Sequence, residues 1–263
     1  MAKALERDNF DDAWFVASTP RPAYTKFQHY PVEEVAPRVR IRPPFTEAVV
    51  DHHIVPEALE GALARRGFAK TKAMLIERLP SEPRTRMGNC GEVLASEHLR
   101  QRYGYNMPVF KLRYMDNPQM PMRGEDVVAF RIDKKNVITA LCVGESKAMQ
   151  AFDAREVKDA HARLKTAYHP HPVSLMMISS ILHDRGDKLA EQVDIIIETL
   201  GTRPIRRENW IFLITGNTPR DPFAEVEADG KMVENQTCVD VVLEDIAGFV
   251  TEVFSTPLRR RRK

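Results

Sequence analysis

An α/β fold, with a mixed sheet flanked by helices, is predicted by three features of this sequence. Residues 126–133 and 137–147 are apolar runs rich in β-branched side chains, joined by the tight connection Asp133-Lys134-Lys135-Asn136, as paired strands are. Trp210-Ile211-Phe212-Leu213-Ile214 is wholly apolar and of strand length, as the interior of a sheet covered on both faces requires. Between these runs the spacing turns helical, with Val157, Ala160, His161, Leu164 and Tyr168 along one face. Helix, strands, helix and a later strand is an α/β order.

Taken along the chain, residues 1–55 form an irregular N-terminal extension. Pro20, Pro22, Pro31, Pro37, Pro43 and Pro44 argue against long helices, and Trp14, Phe15, Tyr24, Phe27 and Tyr30 argue against simple disorder. Short strands and turns lying on a partner surface are expected there. His52 and His53, adjacent in such a strand, would point to opposite faces and share no metal. The main domain spans 56–258. Pro56 opens a helix, residues 71–79 continue as a second, and 89–103 form another that stops at Gly104. Residues 107–114 alternate apolar and basic side chains, so with 126–133 and 137–147 they predict an antiparallel meander. Helices over 173–182 and 189–200, a strand over 237–243 and a closing helix through Ile246, Phe249, Val250 and Val253 complete the domain. Residues 259–263, Arg-Arg-Arg-Arg-Lys, are a basic tail that is either solvated or a phosphate-contacting arm.

Bulk composition narrows the function classes. With 263 residues and a formal net charge of +2, the chain lacks the basic excess of a protein that holds nucleic acid by charge alone. No window approaches the roughly 18 uninterrupted apolar residues of a membrane span. The N-terminus has no apolar core of a secretion signal, so a cytoplasmic protein without membrane association is expected. Cys90, Cys142 and Cys238 are odd in number and lack CxxC spacing, which points to reduced, packed thiols rather than a zinc site. HExxH, GxSxG and phosphate-loop patterns are absent.

The chemistry concentrates at the strand ends. Val143-Gly144-Glu145-Ser146-Lys147 closes a buried run, and alternation puts Glu145 and Lys147 on one face with Ser146 on the other. A carboxylate and an ammonium at the end of a central strand are costly to bury without a purpose. Arg123-Gly124-Glu125-Asp126 opens the neighbouring strand, and Asp126 shares a face with Val128, Phe130 and Ile132. Two carboxylates that close repel unless one protonates or a cation joins them, and Mg²⁺ (or Mn²⁺) suits one or two carboxylates plus water and phosphate. Asp126, Glu145 and the backbone carbonyl of Ser146 are the candidate metal ligands. Lys147 is placed to orient or help deprotonate the attacking water, which is the chemistry of phosphodiester hydrolysis. Structural alternatives stand beside each role. Asp126 could be a turn residue with Glu125 its rival for the metal, and Glu145 with Lys147 could be a surface ion pair. Glu92, in Asn89-Cys90-Gly91-Glu92, could close a capping box. Arg155, Lys158 and Arg163, on the following helix, could face a phosphate backbone or simply solvent.

Asp126 and Glu145-x-Lys147 on consecutive strands, after a helix carrying Glu92, resemble the active site of the PD-(D/E)xK nuclease superfamily. The wider frame of Gly91-Glu92, Arg123-Gly124-Glu125-Asp126 and Val143-Gly144-Glu145-Ser146-Lys147-Ala148 resembles the DUF1837 family, the HamA-like nuclease subunits of the bacterial Hachiman anti-phage system. One departure is that Glu125, not proline, precedes Asp126. The resemblance implies a restriction-endonuclease-like core and a Mg²⁺-dependent deoxyribonuclease that acts on DNA with a HamB-like ATP-dependent helicase. In that reading Glu92, Asp126, Glu145 and Lys147 are catalytic. A non-catalytic adaptor that docks a helicase or nucleic acid, or an RNase using the same residues, is the alternative.

Overall fold

The computed structural model describes residues 10–17, 28–29, 31–33, 38–120, 122–166, 173–199, 205–217, 219–229, 233 and 235–255. The basic tail, His169, His171, Tyr24, Phe27 and Tyr30 lie outside them. In chain order the elements are α1 (Asp11–Trp14), β1 (Phe15–Ala17), β2 (Gln28–His29), β3 (Pro31–Glu33), α2 (Arg38–His53), α3 (Pro56–Arg78) and α4 (Pro83–Tyr103). A 3-10 turn (Lys111–Tyr114) leads to β4 (Val127–Ile132), β5 (Ile138–Met149), α5 (Ala154–Thr166), α6 (Val173–Asp184) and α7 (Leu189–Thr199). The chain closes with β6 (Arg206–Thr215), α8 (Ala224–Ala228), β7 (Gln236–Val242) and α9 (Ile246–Ser255).

The sheet runs β1-β3-β7-β6-β5-β4, with β2 also paired to β7. β4 and β5 form an antiparallel hairpin, whereas β5, β6 and β7 run parallel, so the sheet is mixed as expected. Period-two alternation sorts each strand into two cores. Val127, Ala129, Cys142, Phe212 and Val241 pack under α2, α4 and α9. Val128, Phe130, Leu141, Val143, Ile211 and Leu213 pack under α5, α6 and α7. The result is a sheet between two helical layers, each sealing one face. All three cysteines are free and buried. Among the described residues no helix is long and apolar enough to cross a membrane.

Three local expectations are corrected. Residues 107–114 form no strand: Asn106 bridges Phe130 and the chain then coils into the 3-10 turn. Buried Val109, Lys111, Leu112 and Met115 do not keep the period of two that a half-exposed strand requires. Pro43 and Pro44 do not prevent a helix, since both lie inside the 16-residue α2. Burial of Ile41, Phe45, Ala48 and Val49 against the first core offsets the backbone hydrogen bonds the prolines remove. Of the leading aromatics, those described, Trp14 and Phe15, are core, not surface. Phe10, Trp14 and Phe15 are at most 2% exposed and cluster with Phe45 and Phe249.

Candidate active site

The β4–β5 register brings the two predicted carboxylates together. The ladder runs to Val127↔Gly144, and one further step sets Asp126 opposite Glu145. Asp126 is in phase with Val128 and Phe130, and Glu145 and Lys147 with Leu141 and Val143, so all three belong to the α5–α6 side of the sheet. β5 runs on past the end of β4, which leaves the Ser146 N–H without a ladder partner there; it donates to Asp126 Oδ2 at 2.8 Å. In an extended strand the N–H and C=O of one residue share an edge, so the Ser146 carbonyl points the same way. Ser146 Oγ, on the opposite face, is buried against α4 and has no hydrogen-bond partner among the described residues.

The residues around Asp126 explain its motif. Gly124 has φ +88, and a Cβ there would stand 2.5 Å from Ser174 Oγ, so only glycine fits. The turn sends the Glu125 carboxylate to the start of α6, where it accepts from the N–H groups of Val173 at 3.2 Å and Ser174 at 3.0 Å. Glu125 is thus a helix cap supplied from a distance, satisfying donors that a helix start leaves open. The Glu125 carboxylate is therefore spent on α6, whereas Asp126 stands at the strand end opposite Glu145.

Glu92 is not a cap. The helix that was expected to begin at Asn89 begins at Pro83, placed at its first turn, so Glu92 lies well inside α4. Asn89 binds His53 Nε2 through Nδ2 at 2.9 Å instead of closing a capping box. His52 and His53 end α2 rather than a strand; His52 pairs with Glu97 Oε1 at 2.9 Å. Gly91 lets α4 press onto β5, since a Cβ there would lie 2.8 Å from Ala148 Cβ and 3.0 Å from Ser146 Oγ. This approach carries Glu92 to the cleft it lines with Asp126, Lys111, His52 and Ser96.

The electrostatics are those of carboxylates packed together. Burial pushes Glu145 up to about 8, the Asp126 charge adds to the rise, and Arg163, Lys147 and Lys111 oppose it. Glu92 also rises to about 8 through burial, opposed by Lys111 and reinforced by Asp126 and Glu145. Asp126 is raised by burial, against the Ser146 N–H bond and the Lys111, Lys147 and Arg163 charges. Glu145 is 3% exposed, and among the described residues its Oε2 has no hydrogen-bond partner. An orphaned buried carboxylate oxygen beside a second acid is a natural seat for a cation. Among the described residues, no three His, Cys, Asp or Glu side chains form a ready-made ligand set.

Two contributors were not singled out from the sequence. Lys111 is 5% exposed, and its Nζ donates to the Glu125 carbonyl beside Asp126. Its signal, a lysine enclosed by Phe110 and Leu112, was masked by the strand reading. Glu156 of α5 holds Lys147 Nζ at 3.0 Å. Nothing in local sequence distinguishes Glu156 from other helix-surface acids. Of the basic residues proposed on α5, Arg163 approaches Glu145 Oε2 at 3.6 Å, whereas Arg155 pairs with Asp153 away from the site. His161 is a satisfied core histidine, contacting Asp229 and Gln236.

Comparison with known proteins gives this arrangement a lineage. A family model described as HamA matches residues 44–254, from inside α2 into the last turn of α9, and so takes in all five predicted site residues. The chain is 28% identical over 201 residues to the Hachiman protein HamA of Bacillus cereus, covering 73% of this chain and 68% of that protein. The family match spans both helical layers, the sheet between them and the strand ends that carry Asp126, Glu145 and Lys147: the chain belongs to the HamA family.

Proposed function

We propose that this chain is a metal-dependent nuclease that hydrolyses DNA phosphodiester bonds as the effector of a Hachiman-type anti-phage pair, with an ATP-dependent helicase as partner. The carrying observation is Asp126 opposite Glu145 on paired strand ends, with Lys147 in phase on the same face. In this reading the β4–β5 hairpin, its parallel neighbour β6 and α4 are the core of a restriction-endonuclease-like domain.

Mg²⁺ or Mn²⁺ would be held by Asp126, Glu145 and the Ser146 carbonyl, and when bound supplies Lewis-acid polarisation and a more acidic water. Orphaned Glu145 Oε2 and the mutual repulsion of the acids fit a hard cation. The rest belongs to the chain's own groups. The Lys147 ammonium, steadied by Glu156, points its protons at the incoming water and the phosphate charge. Glu92 offers a carboxyl in the cleft it shares with Asp126 that can hold or take up a proton near neutrality. Lys111 anchors the carbonyl next to Asp126, fixing where its carboxylate stands.

The test is plasmid cleavage with Mg²⁺ or Mn²⁺, with and without the helicase, by wild type and Lys147→Ala. Cleavage by wild type and none by Lys147→Ala, at matched melting temperature, is expected. The Lys147–Glu156 pair is partly exposed and contributes only about 0–1 kcal/mol, so its loss leaves the fold intact. Equal cleavage by both proteins refutes the assignment. A wild type that binds the helicase but cleaves nothing favours an adaptor, and cleavage of RNA alone changes the substrate.

A further inference from the structure

Resting on the nuclease reading above, we infer that Arg163 is a substrate-contacting residue that takes a DNA backbone phosphate at the mouth of the Asp126–Glu145 site. Among the described residues three cations, Lys111, Lys147 and Arg163, surround these carboxylates, and they are held differently. Lys111 is buried and spends its ammonium on the Glu125 carbonyl. Lys147 is tied to Glu156 at 3.0 Å, with its side chain 18% exposed. Arg163 is 60% exposed, and among the described residues its polar contact is Glu145 Oε2 at 3.6 Å. That distance gives attraction without a hydrogen bond. Its guanidinium therefore hovers over the site with a fork of donors still to be satisfied, a geometry that matches phosphate oxygens in pairs.

The neighbours on α5 sharpen the assignment. Arg155 is bonded to Asp153 at 2.7 Å, and Lys165 is bonded to Asp229, so neither faces the carboxylates. Lys158 is exposed and lies five residues before Arg163, on another side of the helix. Glu156 and Arg163 are two turns apart, and both reach back to β5, one to Lys147 and one to Glu145. α5 thus sets a fixed anion against the site's lysine and a loosely held cation against its carboxylate. A phosphate can satisfy the guanidinium donors that Glu145, at 3.6 Å, leaves open. A chain of net charge +2 has few such contacts to spare, so the loss of one is measurable.

The experiment measures binding to fluorescein-labelled duplex and single-stranded DNA in EDTA, where cleavage cannot interfere, as salt is raised from about 50 to about 200 mM. Full-length wild type, Arg163→Gln, Arg163→Lys and Lys158→Gln are compared, with melting temperature as the check on folding. For Arg163→Gln a several-fold loss of affinity is expected. The slope of log affinity against log salt should fall by about 0.9 on duplex, or about 0.7 on a single strand, the signature of one lost phosphate contact. Arg163→Lys should keep the slope while losing part of the affinity, and Lys158→Gln should match wild type. An unchanged slope in Arg163→Gln, or equal losses in Arg163→Gln and Lys158→Gln, overturns the assignment while cleavage by wild type leaves the nuclease reading standing. No binding and no cleavage by wild type overturns both.

Discussion

Replacing Gly91 with alanine is a one-carbon test of whether the approach of α4 to β5 sets the site. The new Cβ would sit 2.8 Å from Ala148 Cβ and 3.0 Å from Ser146 Oγ. Carbon–carbon contacts settle near about 3.5 Å, so helix and strand must part by ~0.7 Å or Ala148 must shift with the strand. Overpacking of this kind costs ~1–3 kcal/mol, whereas alanine in a helix regains ~1 kcal/mol over glycine. A net loss of ~0–2 kcal/mol follows, a fall of only a few degrees in a chain of this size. In the proposed nuclease Glu92, the next residue, is a catalytic group, and a shift approaching 1 Å there can lower turnover by up to ~10²-fold. Gly91→Ala should therefore lose cleavage far out of proportion to stability. Adding Ala148→Gly removes the nearer clashing carbon, so the double variant should recover much of the lost rate. Plasmid cleavage at fixed Mg²⁺, paired with thermal melting, reads both quantities. Full activity in Gly91→Ala, or simply additive losses in the double variant, refutes the argument that this contact positions Glu92.

The remaining predictions concern pH, the N-terminal core and the turn before Asp126. Glu92 and Glu145, raised to about 8 from 4.5, make the folded protein bind more protons than the unfolded chain across that window. Stability in EDTA should therefore fall as pH rises from about 5 to about 8, and Glu145→Gln should flatten the decline. A flat or rising wild-type melting profile would contradict this. Trp14→Ala, at a fully buried site among Phe10, Phe45 and Phe249, should cost ~3–5 kcal/mol and lower the melting temperature by on the order of 10 °C. A stable variant that loses only helicase binding would restore a surface role for the segment. Gly124→Ala meets both a positive φ and Ser174 Oγ, so it should destabilise by at least ~1–2 kcal/mol; if Asp126 holds a metal as proposed, calorimetric titration with Mn²⁺ should also show weaker binding.

Part of the site was legible because strand alternation is a strict local rule. The parity of Glu145 with Lys147, and of Asp126 with Val128 and Phe130, is written in the chain and survives folding unchanged. Glu92 was visible only as an ambiguity. Asn89-x-x-Glu92 reads as a cap until the helix is known to start at Pro83. The stretch 107–114 alternates over too few residues to specify a strand, and packing that buries the adjacent Lys111 and Leu112 overrides the pattern.

By itself the sequence determined what its periodicities and glycines encode. These are a mixed sheet between helices, the face on which each strand-end charge stands, and the stop of α4 at Gly104, whose φ of 67 admits the left-handed cap. Only the tertiary structure decided how distant segments meet there. It brought the Lys111 ammonium to the Glu125 carbonyl, Glu156 to Lys147, Arg163 to Glu145, and Trp14 and Phe15 into the core. The physical reason is that a charge on a helix or a turn carries no mark of its partner. Its role is fixed by burial and by the distance to an opposite charge, and both exist only once the layers have packed.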